Sequence, residues 1–308
     1  MPDLVVAEDL TTRQKFVNLI PALLAVGIVE TLILAGAPKK APEVGRLLDR
    51  IEAYGWVGGA VLLIGSVLLA LLLEPLELAT IRFLEGYWSP FGPLARAGRF
   101  GIWMQERRRS RLQWIRDKAP DGEEKRHAVL RLDDLPRRRP LLPTALGNSL
   151  RAMEERAGLP YGMDALVAWP RLYYALPEAT LKLVAEGRNQ LDTAARLCLS
   201  LALSAMVSSG LLLRHRWWLL APLAMILLAG VAYRAAVAAA GVYGSAVCAA
   251  FDVHRLSLLQ MMRIDLPPTL SAERKINATL NALWKRASIP TGDITYSKTD
   301  TDVGLFHR

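Results

Sequence analysis

The sequence predicts an all-α integral membrane protein with two transmembrane hairpins and a cytoplasmic α-helical insertion, and three observations lead there. Four apolar runs, at 16–37, 56–73, 194–213 and 217–251, alternate with long charged stretches. The chain of 308 residues is 52% hydrophobic yet carries a formal net charge of +9, a contrast that excludes a single soluble globule. Strand signals are weak throughout.

The run from Trp217 to Phe251 is the longest, and its only charge is Arg234. As a helix with ~1.5 Å rise per residue it reaches ~52 Å, beyond the ~30 Å of a hydrocarbon core. The expected exit is therefore near Arg234 to Gly241, where the guanidinium snorkels toward headgroups. Beyond it the helix turns from greasy to small. Ala236, Ala240, Gly244 and Cys248 recur every four residues, with Val237, Gly241, Ser245 and Ala249 beside them, the spacing that lets helix backbones approach closely. The expectation is that this stripe packs between subunits of a homo-oligomer.

In chain order, residues 1–15 form a polar cytoplasmic segment and the first hairpin with its interfacial exit occupies 16–88. The run after Lys15 is too long for a signal peptide and its flank is acidic, so it reads as an uncleaved span. Asn18, Ala22, Val26 and Glu30 share one face of it, which turns Glu30 toward helices or water rather than lipid. Val44, Leu47, Leu48 and Ile51 then give a short amphipathic helix with Pro42 in its first turn. The second span follows from Trp56, with a kink expected at Pro75 and an interfacial anchor at Tyr87 and Trp88. Glu30, Glu74 and Glu77 are candidates to bind cations or relay protons, but the stronger reading pairs Glu30 with another helix and lets the other two reach the interface.

Residues 89–192 form a basic cytoplasmic helical insertion. On its first helix Phe100, Trp103, Met104, Trp114 and Ile115 share a side with Arg107 and Arg111, a mixture suited to a membrane surface where rings sit at headgroup depth and guanidinium groups meet phosphates. Arg107, Arg108, Arg109, Arg111, Trp103 and Trp114 are the candidate contacts to anionic lipid. Nucleic acid would need the same residue types and is the weaker reading. Arg137 to Arg139, between two prolines, reads as a loop. Leu146, Leu150 and Met153 mark the core face of a helix stopped by Gly158, a short helix at 163–169 ends at Pro170, and Pro177 opens a helix that runs on into the third span.

The second hairpin with its extended fourth helix covers 193–260. Ser200, Ser204 and Ser208 lie four apart, either as packing contacts or as the lining of a hydrated path shared with Glu30. Arg214 to Arg216 make a tight turn, and Trp217 and Trp218 sit where an aromatic belt belongs. The positive-inside rule puts both termini in the cytoplasm of a cell-membrane protein, although Lys39, Lys40, Arg46 and Arg50 then lie outside. Residues 261–308 supply a helix at 271–286 and a mobile tail.

The chemistry is mostly negative. GxxxxGK[ST], GxGxxG, HExxH, GxSxG and CxxC are all missing from the sequence, so no catalytic, cofactor-binding or metal residue is assigned and no cofactor is expected. Cys198 and Cys248 read as small packing residues. Asp252, His254 and Arg255 read as a salt-bridged helix surface, since neighbours two apart point to different faces. The segments PTALGNSLRAMEERAGLPYGMDALVAWPRLYYALPE and YGSAVCAAFDVHRLSLLQMM resemble parts of multi-pass membrane proteins of high-GC bacteria. That resemblance covers roughly 140–285, implies a four-span arrangement and brings no activity. The expected function is non-enzymatic: a homo-oligomeric channel or membrane effector controlled from the cytoplasmic side, or else an anchor recruiting a cytoplasmic protein, with an interfacial lipid-active enzyme as the weakest reading.

Overall fold

A computed structural model describes residues 12–73, 77–88, 92–285 and 294–296. Ten α-helices lie among the described residues: α1 (Thr12–Leu34), α2 (Val44–Leu73), α3 (Glu77–Glu85), α4 (Pro93–Lys118), α5 (Glu123–Asp133), α6 (Ala145–Arg156), α7 (Ala165–Leu172), α8 (Glu178–Leu212), α9 (Leu220–Met261) and α10 (Leu270–Lys285). An isolated antiparallel bridge, Ile264 to Tyr296, is the single β pairing among them. Three helical stretches, Val44–Leu68, Glu178–Leu212 and Arg216–Met261, are long and apolar enough to cross a membrane. The regular structure of the described residues is thus helical, with three helices suited to crossing a membrane.

The long α8 and α9 run antiparallel and pack along one another, while α1 packs on α8 and on α2. Both turns at one end of the bundle meet, because His215 Nε2 lies 3.2 Å from the Pro38 carbonyl oxygen and Leu32, Ala37 and Leu212 form a small buried cluster. At the other end α6, α7 and α10 cover the extension of α8 and α9. The main core sits there, around Leu146, Met153, Trp169, Leu172, Leu191, Val247 and Phe251.

Several boundaries differ from expectation. Residues 12–15 are already helical, so the first helix starts inside the segment set apart as polar. The amphipathic stretch and the second span form one helix bent at Gly55 (φ 58°, ψ −168°), a left-handed conformation that favours glycine. Pro42 precedes that helix rather than opening it. Pro170 lies inside α7, which continues to Leu172; the missing N–H costs one bond, and burial of Ala165, Ala168, Trp169 and Leu172 outweighs it. The 192/193 division falls within one unbroken α8, as the continuous apolar spacing through Leu191 and Ala195 requires. Part of the tail is packed: the Asp265 N–H donates to the Thr295 carbonyl oxygen at 3.1 Å and Ile294 joins Leu259, Ile264 and Leu280. Glu74, Pro75 and the rest of the tail lie outside the described residues.

Candidate membrane-interface site

The apolar faces of the long helices share one length. From Trp217, in the 3-10 turn Arg216–Leu219 that leads into α9, to Arg234, from Trp56 to Leu73 on α2, and from Arg196 to Leu213 at the end of α8, seventeen steps at ~1.5 Å give ~26 Å, close to a hydrocarbon core. Within the α9 interval Leu220, Leu223, Ile226, Leu227, Leu228 and Val231 are exposed. Between Arg234 and His254 most exposed positions are small or polar, Ala235, Ala238, Ser245, Ala249 and Asp252, with Val242 and Val253 the exposed large apolar ones. Trp56 and Trp217, 86% and 84% exposed, open the α2 and α9 intervals, and Arg196 and Arg234 bound the α8 and α9 intervals at the end nearer the cap.

A chain of contacts links this end to α4. Tyr233, the neighbour of Arg234, accepts the Ala145 and Leu146 N–H groups at 3.0 and 3.2 Å through its hydroxyl oxygen, which caps two open donors at the N-terminus of α6. The Thr144 side chain accepts from the Gly147 N–H at 3.1 Å and donates to the Glu85 carbonyl at 2.7 Å, joining α6 to the end of α3. There is no space beside Gly147, where a Cβ would overlap that same carbonyl. Pro143 then lies against Gly101 of α4, where a Cβ would come within 2.7 Å of the Pro143 carbonyl oxygen. The Asn148 side chain holds the connecting Leu142 by both backbone groups, at 2.7 and 2.9 Å.

Starting beside Gly101, α3 and α4 present an aromatic and basic surface. Trp88 donates to the Phe83 carbonyl at 2.7 Å, its ring stands 5.7 Å from that of Phe83, and it packs against Gly98 of α4. Phe100, 61% exposed, stacks on Trp103 with ring centroids 5.6 Å apart, and the Arg107 guanidinium lies 4.3 Å over the Trp103 ring. Met104, Arg111 and Trp114 extend the exposed face. Rings flanked by guanidinium groups can insert among acyl carbonyls while pairing with phosphates.

The candidate arginines do not all share that face. Arg109 donates to the Pro136 carbonyl, and Arg108 faces Asp134, whose carboxyl burial pushes above the ordinary range against the pull of Arg108, Arg131 and Arg156. Both are half-buried against the cap, because α4 must also hold the α5 connection. Arg107 and Arg111 remain exposed with Trp103 and Trp114.

The other candidates separate. Glu30 accepts a hydrogen bond from the Ser66 hydroxyl of α2 at 2.8 Å. Ser204 and Ser208 are buried where α8 meets α1; the Ser204 hydroxyl donates to the Ser200 carbonyl at 2.7 Å and lies 3.5 Å from the Ala25 carbonyl. Glu30 and the serines thus engage different neighbours of α1. Ala236 and Ala240 are fully buried, Gly244 abuts Met153 of α6, and Cys248 is half-buried. The expected interface between subunits is therefore occupied within the chain, by α6 and α8.

His254 meets Thr180 at 3.1 Å, whereas Arg255 bonds Glu273 at 2.8 Å and covers the Tyr161 ring at 3.7 Å. His254 and Arg255 thereby fasten α9 to α8 and α10. Sequence reasoning missed Tyr233, since an aromatic near the end of a span reads first as a belt residue. It also missed Glu155, which accepts from the Arg137, Arg138 and Arg139 N–H groups at 2.6, 3.0 and 2.7 Å. No grouping of three metal-binding side chains occurs among the described residues. Neither a protein-family model, nor a curated protein, nor a solved structure matches the chain.

Proposed function

We propose that the protein is a non-enzymatic effector of the cell membrane, crossing it four times as two hairpins with both termini cytoplasmic, and that its 89–192 cap engages anionic lipid headgroups through α4. The observation that carries this reading is the exposed Phe100, Trp103, Met104, Arg107, Arg111 and Trp114 face, linked through Gly101, Pro143 and Tyr233 to the level of Arg234 where the apolar half of α9 ends. Hydrophobic rings at that depth find the acyl boundary, and fixed guanidinium charges find phosphates, each worth ~1 kcal/mol near an anionic surface. A cap held down by such contacts couples lipid composition to the long α8 and α9 rods that it covers.

A channel reading asks Glu30 and the Ser200, Ser204 and Ser208 face to line one path. The separate partners of Glu30, which bonds Ser66, and of Ser204, which faces the α1 backbone, favour the effector or anchor reading instead. The test is a fluorophore at position 104, placed by Met104→Cys with Cys198 and Cys248 replaced by Ala, in liposomes with and without phosphatidylglycerol. The expected result is a blue-shifted emission, quenched by brominated acyl chains, that grows with the anionic fraction and is lost on Arg107→Glu with Arg111→Glu. Emission that stays water-like in both liposomes sinks the reading, as does ion flux abolished by Glu30→Gln.

A further inference from the structure

The amphipathic first part of α2 lies at the opposite end of the bundle from α4, and the α4 site leaves it without a role. Val44, Leu48, Ile51 and Tyr54 project from one face and are exposed, Val44 by 68%. Two arginines tie the helix to the protein. Arg50 donates to the Ile33 carbonyl at 2.9 Å in the last turn of α1, and Arg46 donates to the Ala41 carbonyl at 2.8 Å while pairing with Glu43 at 3.0 Å. These contacts hold the segment at the level where α1 ends. They also account for two positive charges on the side that the positive-inside rule leaves poor in them, since both are spent on backbone carbonyls.

Immediately after it, Gly55 bends the chain and Trp56 begins the wholly apolar stretch. The bend thus separates an exposed, amphipathic first part of the helix from a wholly apolar second part that opens on the exposed Trp56 ring. Arg46 and Arg50 balance Asp49 and Glu52, leaving 44–56 without net charge. Nothing in that balance selects for anionic headgroups.

We infer that residues 44–54 form an interfacial helix that lies in the headgroup layer of the leaflet opposite to α4, inserting Val44, Leu48 and Ile51 into phospholipid acyl chains of either zwitterionic or anionic type. The occupant is lipid because the same helix, past Gly55, continues as the span itself. The bend lets one helix serve two directions: along the surface before Gly55, and through the apolar layer after it. The inference rests on the four-span reading.

The experiment separates the two. With Cys198 and Cys248 replaced by Ala, single variants Leu48→Cys, Glu52→Cys and Leu63→Cys carry a polarity-sensitive fluorophore in phosphatidylcholine liposomes containing lipids brominated near the top of the acyl chain. All three positions are exposed, and an unchanged thermal midpoint verifies that each variant folds. Quenching at 63 and severalfold stronger quenching at 48 than at 52 is expected. No quenching at 63 overturns the four-span reading. Quenching at 63 with equal signals at 48 and 52 overturns the interfacial helix alone.

Discussion

Tyr233 on α9 holds Ala145 on α6: the phenol oxygen accepts the Ala145 N–H at 3.0 Å and that of Leu146 at 3.2 Å. A residue one position from Arg234 thereby caps the helix from which Pro143 reaches α4. Tyr233→Phe leaves both donors without this acceptor, for a loss of ~1–2 kcal/mol. Thermal unfolding in detergent should show a lowered midpoint, and the fluorophore at position 104 should lose part of its lipid exposure, because α6 frays at the end that carries Pro143.

Gly147 makes a sharper test of the same junction. A methyl group there would overlap the Glu85 carbonyl oxygen, which is backbone and cannot swing aside. Gly147→Ala should destabilise by ~3 kcal/mol or more. Gly241, on the same side of the membrane reading but with nothing within 4 Å of its Cβ position, is the control: Gly241→Ala should stabilise by up to ~1 kcal/mol through helix propensity. Equal effects at both positions would deny the close approach of α3 and α6.

How much of this was legible beforehand depends on what carried the signal. The apolar stretches of α2, α8 and α9 follow from length and composition, and the Leu146, Leu150 and Met153 face follows from spacing. The rod through Leu191 and Ala195 was legible for the same reason. What covers a face is not written in its own periodicity. The Ala236, Ala240, Gly244 stripe promises a close neighbour without saying whether that neighbour is another subunit or α6 of the same chain, and only the approach of Met153 to Gly244 decides it. Arg108 and Arg109 sit in the same basic run as Arg107, and their inward contacts depend on Asp134 and Pro136, more than twenty residues away in sequence.

The Glu155 carboxylate sits in a cradle of three successive N–H groups, those of Arg137, Arg138 and Arg139. Burial raises its pKa, but those donors and the Arg139 charge outweigh burial and bring it below the usual carboxylate value. A depressed folded-state pKa contributes stability that is present above the unfolded value of ~4.3 and is lost as pH falls through the folded one. Glu155→Gln should therefore lower the thermal midpoint at neutral pH. The gap between variant and parent should narrow below about pH 4. A gap that persists unchanged to strongly acidic pH would mean that the cradle stabilises by shape and not by charge.

The assignment of the small-residue stripe to the interior of the chain separates two neighbouring alanines on α9. Ala240 is 1% exposed, beneath α6 and α8, whereas Ala238 faces outward. Leucine has nearly the helix propensity of alanine, so a difference between the two substitutions reports packing. Ala240→Leu forces three extra carbons into a filled core, for a loss of ~1–3 kcal/mol, and the loss should be the same at every protein concentration because the contact is within one chain. Ala238→Leu should leave the midpoint unchanged. If Ala240→Leu instead preserves the midpoint of the isolated chain and shifts only its detergent-corrected mass, the stripe pairs subunits, and the covering by α6 and α8 is not what holds it.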